Sequence, residues 1–199
     1  MRGTIPCWLL FSTAAVVATA SDLLSKEWIF QRLGMPGDQP PIILISGMLA
    51  LRTNLNEGAL FGMGQGLGLV FAAISLVALT GVGIMAARLC QQNKGGTAAA
   101  IDLWSLAALG MITGGILGNL YDRLGLPRLT WHAPAERFGE PVRAVRDWIH
   151  FAIEDVIDWP IFNLADSYLV VGAAILVVVS LFQARVPCDS DLPQPEKQP

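Results

Sequence analysis

Four long apolar stretches constrain the fold of this chain more than any other feature. Residues 5–21, 67–87 and 103–120 contain no charged side chain, and neither do residues 167–182, which directly follow Asp166. A helix that crosses a bilayer needs about 20 mostly apolar residues. Charged residues make up only 15% of the 199-residue chain, whereas they make up about a quarter of typical soluble domains. We therefore predict an integral membrane protein with four transmembrane helices.

The segments between the spans predict a small sheet outside the membrane. Residues 27–66 contain the runs PPIILIS and MLALRTNL, which are bounded by Pro40-Pro41 and by the turn-like Asn56-Glu57-Gly58. A second large loop covers residues 122–160. We expect one domain over residues 1–186 and a disordered, proline-rich tail at 187–199. The predicted spans cover residues 5–25, 67–88, 101–121 and 162–183.

Charge alone leaves the orientation open. Four spans place both termini on one side of the membrane and both large loops on the other. The large loops, counted together with Lys26 just before the first of them, hold eight of the 13 Lys and Arg residues, so the positive-inside rule read literally would make these loops cytoplasmic. The first span has a second interpretation, because Arg2, an apolar run and Ala18-Thr19-Ala20 follow the pattern of a cleaved signal peptide.

Two further features exclude classes of protein. Cys7, Cys90 and Cys188 are odd in number, far apart and form no CxxC motif, so we expect separate thiols and no disulfide. No basic stripe indicates a nucleic-acid partner.

Polar side chains recur where three of the four spans end. A charge close to the hydrocarbon costs a few kcal/mol unless it is paired or hydrated, so such residues are either structural ion pairs or parts of a site. Spacings of three and four residues put members of each group on one helix face. The groups are Asp22 and Lys26; Asn119, Asp122 and Arg123; and Asn163 and Asp166.

These groups favour a pair of carboxylates over other hydrolytic sites. His132 and His150 do not form an HExxH motif, and no serine lies in a glycine-flanked turn with a histidine partner. Two close carboxyl groups hold one proton between them, so one can activate water while the other donates a proton. Gly110, Gly114 and Gly118 form a small-residue stripe on the third span, which lets another helix approach closely.

Five ordered blocks resemble the signal peptidase II family of membrane aspartyl peptidases. They are DLLSK at 22–26, NEGALFG at 56–62, GGILGNLYDR at 114–123, VRDW at 145–148 and FNLADS at 162–167. The resemblance implies Asp147 and Asp166 as the catalytic pair, although Arg146 departs from the family pattern and Asp155 and Asp158 are nearby alternatives. It also implies that Asp122 orients Arg123 and that the first span is retained. The positions that would support the site or bind substrate are Asn56, Gly58, Asn119, Asp122, Arg123, Asn163, Asp22 and Lys26.

The resemblance also implies a location, a substrate and a fold. The fold would be an all-α membrane protein of four transmembrane helices with a small periplasmic β-sheet. The protein would be a monomer in the bacterial inner membrane, with cytoplasmic termini and a periplasmic site. It would cut diacylglyceryl-modified prolipoproteins before the lipidated cysteine, need no metal or cofactor, bind no nucleic acid and be blocked by globomycin.

Other expectations concern the substrate helix, the insert and a different function. We expect the signal helix of the substrate to pack beside the glycine stripe and the lipid to occupy an apolar groove between spans. An unusually long insert at 124–146 is either a loop covering the site or an elaboration without a role in catalysis. The alternative function is a small transporter or proton-coupled carrier that uses the intramembrane carboxylates.

Overall fold

The computed structural model describes residues 7–58, 64, 66–92 and 100–183. Its four long helices are all apolar enough to cross a membrane, as the sequence predicts. The predicted tail at 187–199 and residues 59–62 of the NEGALFG block lie outside the described residues. The helices are α1 (Cys7–Leu33), α2 (Gly68–Gln92), α3 (Ala100–Arg123) and α4 (Leu164–Gln183).

A four-stranded antiparallel sheet connects the two large loops. The predicted strands in the first loop are confirmed, and the second loop contributes two further strands that the sequence did not predict. Strand order follows the chain, and the central pair aligns Asn54 with Asp147 and Asn56 with Val145. The strands are β1 (Ile42–Ile45), β2 (Leu49–Asn56), β3 (Val145–Ile153) and β4 (Ile157–Asp158).

Helix α3 is the centre of the bundle and packs against the other three helices. The most apolar part of α3 is 56% buried within the protein, whereas the corresponding parts of the other three helices are only 11–17% buried and face outward. The glycine stripe explains the close packing, because a Cβ on Gly114 would lie 2.8 Å from the carbonyl oxygen of Ala15, and one on Gly110 would lie 2.6 Å from that of Phe11.

The expectation that the substrate's signal helix packs beside the glycine stripe is wrong. Helix α1 already covers the three glycines, and the backbone of Phe11 and Ala15 leaves no room for a second helix. Small residues allow two helices to approach closely but do not determine which helix does so. Here the helix that packs against the glycines is α1 of the same chain.

The expectation of three unpaired thiols is also wrong. Cys7 and Cys90 form a disulfide, and their Cα atoms are 5.6 Å apart. They are 83 residues apart in the chain, but Cys7 begins α1 and Cys90 lies in the last turn of α2, so the antiparallel course of the helices brings them together. Cys188 lies outside the described residues.

Candidate active site

The beginning of α4 explains why an amide and a carboxylate precede a long apolar run. The backbone N–H of Asp166 donates to Oδ1 of Asn163 at 2.9 Å, and the backbone N–H of Asn163 donates to Oδ2 of Asp166 at 3.3 Å. This reciprocal arrangement is a capping box, which satisfies two backbone donors at a helix start. The helix dipole also stabilises a negative charge in the first turn. The side-chain NH2 group of Asn163 and the Oδ1 atom of Asp166 take no part in this box and remain available for other partners.

Those remaining atoms link Asp166 to Asp147. Nδ2 of Asn163 donates to Oδ1 of Asp147 at 2.6 Å and to Oδ1 of Asn119 at 3.3 Å. Nδ2 of Asn119 donates to Oδ1 of Asp166 at 2.9 Å. The two carboxylates, from β3 and α4, are therefore joined through the side chains of two asparagines.

Asp147 lies in an environment that favours its protonated form. It is buried, and burial together with the negative charge of Asp166 raises the pKa of Asp147 to about 8, against the opposing effect of hydrogen bonds from Asn163 and Asn56. Its Oδ2 atom is buried and has no hydrogen-bond partner among the described residues. Near neutral pH this carboxyl group thus retains a proton, and one of its oxygens is available to a further molecule.

The two alternative acids lie away from this cluster. Asp155 is exposed in the turn after β3, and Asp158 is exposed on β4, where it pairs with His150 at 2.7 Å. The hydrogen bonds found among the described residues connect neither of them to Asp166. Of the acids considered near this strand, Asp147 is the one that the geometry brings to Asp166.

Arg123, at the end of α3, adds positive charge beside the carboxylates. Its Nη2 atom donates to the carbonyl oxygen of Gly58 at 3.3 Å, and its guanidinium group lies 5.5 Å from the ring centre of Phe71. Asp166 and Asp147 both interact with its charge. Its buried Nε has no partner among the described residues, which leaves one donor available for a ligand.

A buried ion-pair network lies beneath these residues. Nζ of Lys26 contacts Oδ2 of Asp22 at 2.7 Å, Oδ2 of Asp122 at 3.1 Å and Oδ1 of Asn119 at 3.0 Å. These contacts use all three donors of the ammonium group and compensate its charge. Oδ1 of Asp22 accepts from the backbone N–H of Ala165, so the network also reaches the beginning of α4. Lys26 thus fixes α1, α3 and α4 at one end of the bundle.

The expectation that Asp122 orients Arg123 is wrong. Within the described part of the chain Asp122 contacts Lys26 and Arg146, and the distance from Arg146 Nε to Asp122 Oδ1 is 2.8 Å. Adjacent residues on a helix point to different faces, so Asp122 and Arg123 serve separate partners.

Arg146 belongs to the buried ion-pair network beneath the site, and sequence reasoning missed this role. Its buried side chain also contacts Glu27 at 3.2 Å. The alternation of side chains along β3, which places Arg146 and Asp147 on opposite faces, was the available signal. Among the described residues, no group of three or more His, Cys, Asp or Glu side chains is arranged to hold a metal ion.

Solved structures share this architecture. A bacterial membrane enzyme determined by the in meso method at 2.3 Å resolution aligns over 91% of this chain and 93% of its own, with a TM-score of 0.67 and 22% identity. A second bacterial membrane enzyme, at 1.9 Å resolution, aligns over 85% of this chain and 90% of its own, with a TM-score of 0.61 and 23% identity. At these identities the likeness establishes the fold.

Sequence comparison establishes the family. Residues 14–182 match the family model described as signal peptidase (SPase) II. A protein of Rhodopirellula baltica named lipoprotein signal peptidase is 44% identical over 90% of this chain and 75% of its own length. Proteins of the same name from Rhodococcus jostii and Mycobacterium leprae are 37% and 34% identical, each over 87% of this chain and 72% of the relative. The chain therefore belongs to the signal peptidase II family, whose members are aspartic-type peptidases, and is a multi-pass bacterial membrane protein.

Proposed function

We propose that this chain removes signal peptides from diacylglyceryl-modified bacterial prolipoproteins by cutting before the lipidated cysteine, with Asp147 and Asp166 as the catalytic pair. The observation that carries the proposal is the bridge through Asn163, whose side chain bonds Asp147 at 2.6 Å and whose backbone N–H bonds Asp166 at 3.3 Å. No comparison supports the transporter alternative.

The two carboxyl groups have different roles in this mechanism. Asp147, with its raised pKa of about 8, holds the shared proton and donates it toward the oxygen of the scissile carbonyl. Asp166, in the first turn of α4, acts as the base and accepts a proton from water as the water oxygen attacks the carbonyl carbon. When the C–N bond breaks, the proton on Asp166 moves to the departing amine, and a hydroxyl proton of the intermediate returns to Asp147 as the carbonyl group re-forms. The sum of these steps is the hydrolysis of one peptide bond.

Further residues support the substrate and the pair. The unpartnered Nε of Arg123 donates to a substrate carbonyl, and Gly58 keeps the Arg123 side chain in place through its own carbonyl oxygen. Asn119 and Asn56 hold the two carboxylates at a fixed separation. Asp22, Lys26 and Asp122 are structural supports, because their contacts are buried and mutually satisfied.

The site lies on the periplasmic side in this proposal, with both termini in the cytoplasm and the large loops outside. The family resemblance supports this orientation against the literal charge count. Two of the eight basic residues counted on this side, Lys26 near the end of the first span and Arg146 in the second loop, are buried in ion pairs and so carry no topological signal. The enzyme acts as a monomer among membrane lipids, binds no nucleic acid and uses no cofactor in this proposal.

The test is cleavage by the purified protein in liposomes. A lipidated prolipoprotein and its unlipidated form are incubated with the enzyme, with and without globomycin, and the new N-terminus is sequenced. We expect cleavage of the lipidated form only, directly before the modified cysteine, and loss of cleavage with globomycin. Equal cleavage of both forms, or proton flux without cleavage, would contradict the proposal.

A further inference from the structure

The insert between α3 and β3 forms an ordered hairpin. The backbone N–H of Trp131 donates to the carbonyl oxygen of Glu140 at 2.9 Å, and that of Val142 donates to the carbonyl oxygen of Leu129 at 2.9 Å. At its far end a 3₁₀ turn, Ala135–Arg137, reverses the chain. The insert therefore presents its side chains in defined positions.

The base of this hairpin is anchored to the rest of the protein. Val142 and Ala144 are buried with Met35, which follows α1, and Leu55 of β2 packs against the same cluster. Apolar burial of this kind opposes movement of the hairpin as a unit. The tip of the insert is thus held at a fixed distance from the end of β2.

Arg137, at the tip of the hairpin, forms a bidentate salt bridge with Glu57. Its Nη1 and Nη2 atoms donate to the two carboxylate oxygens of Glu57 at 2.9 and 2.8 Å, and its guanidinium group lies 4.2 Å from the ring centre of Trp131. Bidentate pairing fixes the orientation of both partners as well as their distance. Arg137 also contacts Glu140 at 3.3 Å. Glu57 is only 18% exposed, so the pair is partly shielded from solvent.

Glu57 stands between two residues that touch the carboxylate site. Asn56 makes a side-chain hydrogen bond to Asp147. The carbonyl oxygen of Gly58 accepts from Arg123, and the backbone N–H of Gly58 donates to Oδ1 of Asn56 at 3.0 Å. A constraint on Glu57 is therefore a constraint on the contacts to both Asp147 and Arg123.

We infer that Arg137 is a positioning residue, which acts through Glu57 to hold the Asn56–Gly58 turn against Asp147 and Arg123. This inference rests on the proposed function of the site and gives the insert a role in catalysis. Arg137 lies outside the catalytic groups themselves and touches none of them in the described structure.

The inference predicts a defined kinetic change for Arg137→Ala. We expect kcat to fall about tenfold with a smaller change in KM, because the turn supports the reacting groups. We also expect the alkaline limb of the pH–rate profile to move to higher pH. The hydrogen bond from Asn56 favours ionised Asp147, so its weakening raises the pKa of that carboxyl group. The other groups facing Asp147 are Asp166, Asn163, Lys26 and Arg123. Arg137→Ala replaces none of them, and it reaches Arg123 only through the contact of that side chain with Gly58.

The experiment compares Arg137→Ala, Glu57→Ala and the double variant, each with thermal unfolding measured in the same detergent. If both residues act through one contact, the double variant loses no more activity than either single variant. Arg137→Lys keeps the positive charge but cannot form the bidentate hydrogen bonds. This variant should fold, and the alkaline limb of its pH–rate profile should move in the same direction by a smaller amount. Glu136→Ala is the matched control, because Glu136 is exposed in the same 3₁₀ turn and has no described contact.

Two results would overturn the inference. One is additive losses in the double variant; the other is an unchanged pH profile in Arg137→Ala with activity that follows the folded fraction. Failure of the proposed function is distinguishable, because wild type and Glu136→Ala would then cleave no lipidated substrate either.

Discussion

Replacing Asp147 by Asn should stabilise the protein while it abolishes cleavage. The pKa of Asp147 rises from 3.8 to about 8 on folding, chiefly because the carboxyl group is buried. Between these values the folded state holds a proton that the unfolded state releases. The free energy of unfolding therefore falls as pH rises from about 4 to about 8, and it levels off above that range. Asparagine removes this pH dependence because its amide does not titrate.

The magnitude follows from the size of the pKa shift. Each unit of difference in pKa is worth about 1.4 kcal/mol. Release of the Asp147 proton on unfolding therefore lowers the free energy of unfolding by about 2 kcal/mol at pH 5 and by about 4 kcal/mol at pH 7, compared with a side chain that does not titrate. In Asp147→Asn the introduced amide oxygen can still accept from Nδ2 of Asn163, and the introduced amide nitrogen replaces an oxygen that has no hydrogen-bond partner among the described residues. We expect the variant to recover most of that free energy.

Thermal unfolding in detergent at pH 5 and pH 7 measures this difference. For a chain of this size 1 kcal/mol corresponds to about 2–4 °C, so Tm of Asp147→Asn should exceed that of wild type by about 10 °C at pH 7 and by about half as much at pH 5. Asp155→Asn is the control, because Asp155 is exposed and asparagine tolerates its φ of 58°. A Tm gain that is equal at both pH values, or a loss at pH 7, would refute the reasoning.

Two other substitutions test the packing that supports the site. Lys26→Met should lower the free energy of unfolding by about 3 kcal/mol or more, since it leaves the buried Asp22 without its ion-pair partner; an unchanged thermal unfolding curve would contradict this. Gly114→Ala should cost about 1–3 kcal/mol by forcing α1 away from α3, whereas Gly81→Ala, where a Cβ meets nothing within 4 Å, should be neutral or stabilising. Equal effects of the two glycine substitutions on Tm would show that α1 and α3 do not require the close approach.

The helices could be predicted from the sequence because their signal is local. A run such as residues 167–182 is long and apolar enough to identify a span without knowledge of its neighbours. The two strands of the first loop were also predictable, because proline and turn residues bound them. Strand β3 was harder to predict, because it pairs with β2 from a segment about ninety residues earlier in the chain and its burial depends on that pairing.

The partners of the charged residues could not be derived from spacing. Asp122 and Arg123 are neighbours in the sequence, but Asp122 pairs with Lys26 of α1 and Arg146 of β3, which reach it only in the folded bundle. The Cys7–Cys90 disulfide and the salt bridge between Arg137 and Glu57 likewise join residues that are far apart in the sequence and meet only in the folded protein. For the site itself, the short-range pattern of Asn163 and Asp166 was visible in the sequence, whereas the choice of Asp147 depended on resemblance to a family.

Cleavage of a lipidated prolipoprotein by Asp147→Asn, measured in a single turnover beside Asp155→Asn, tests the central assignment most directly. Both variants remove one carboxyl group from the same part of the chain, and only Asp147 is bonded to the cluster that holds Asp166. We predict no detectable product from Asp147→Asn and the wild-type rate from Asp155→Asn. Product formation at the wild-type rate by folded Asp147→Asn would contradict the catalytic pair.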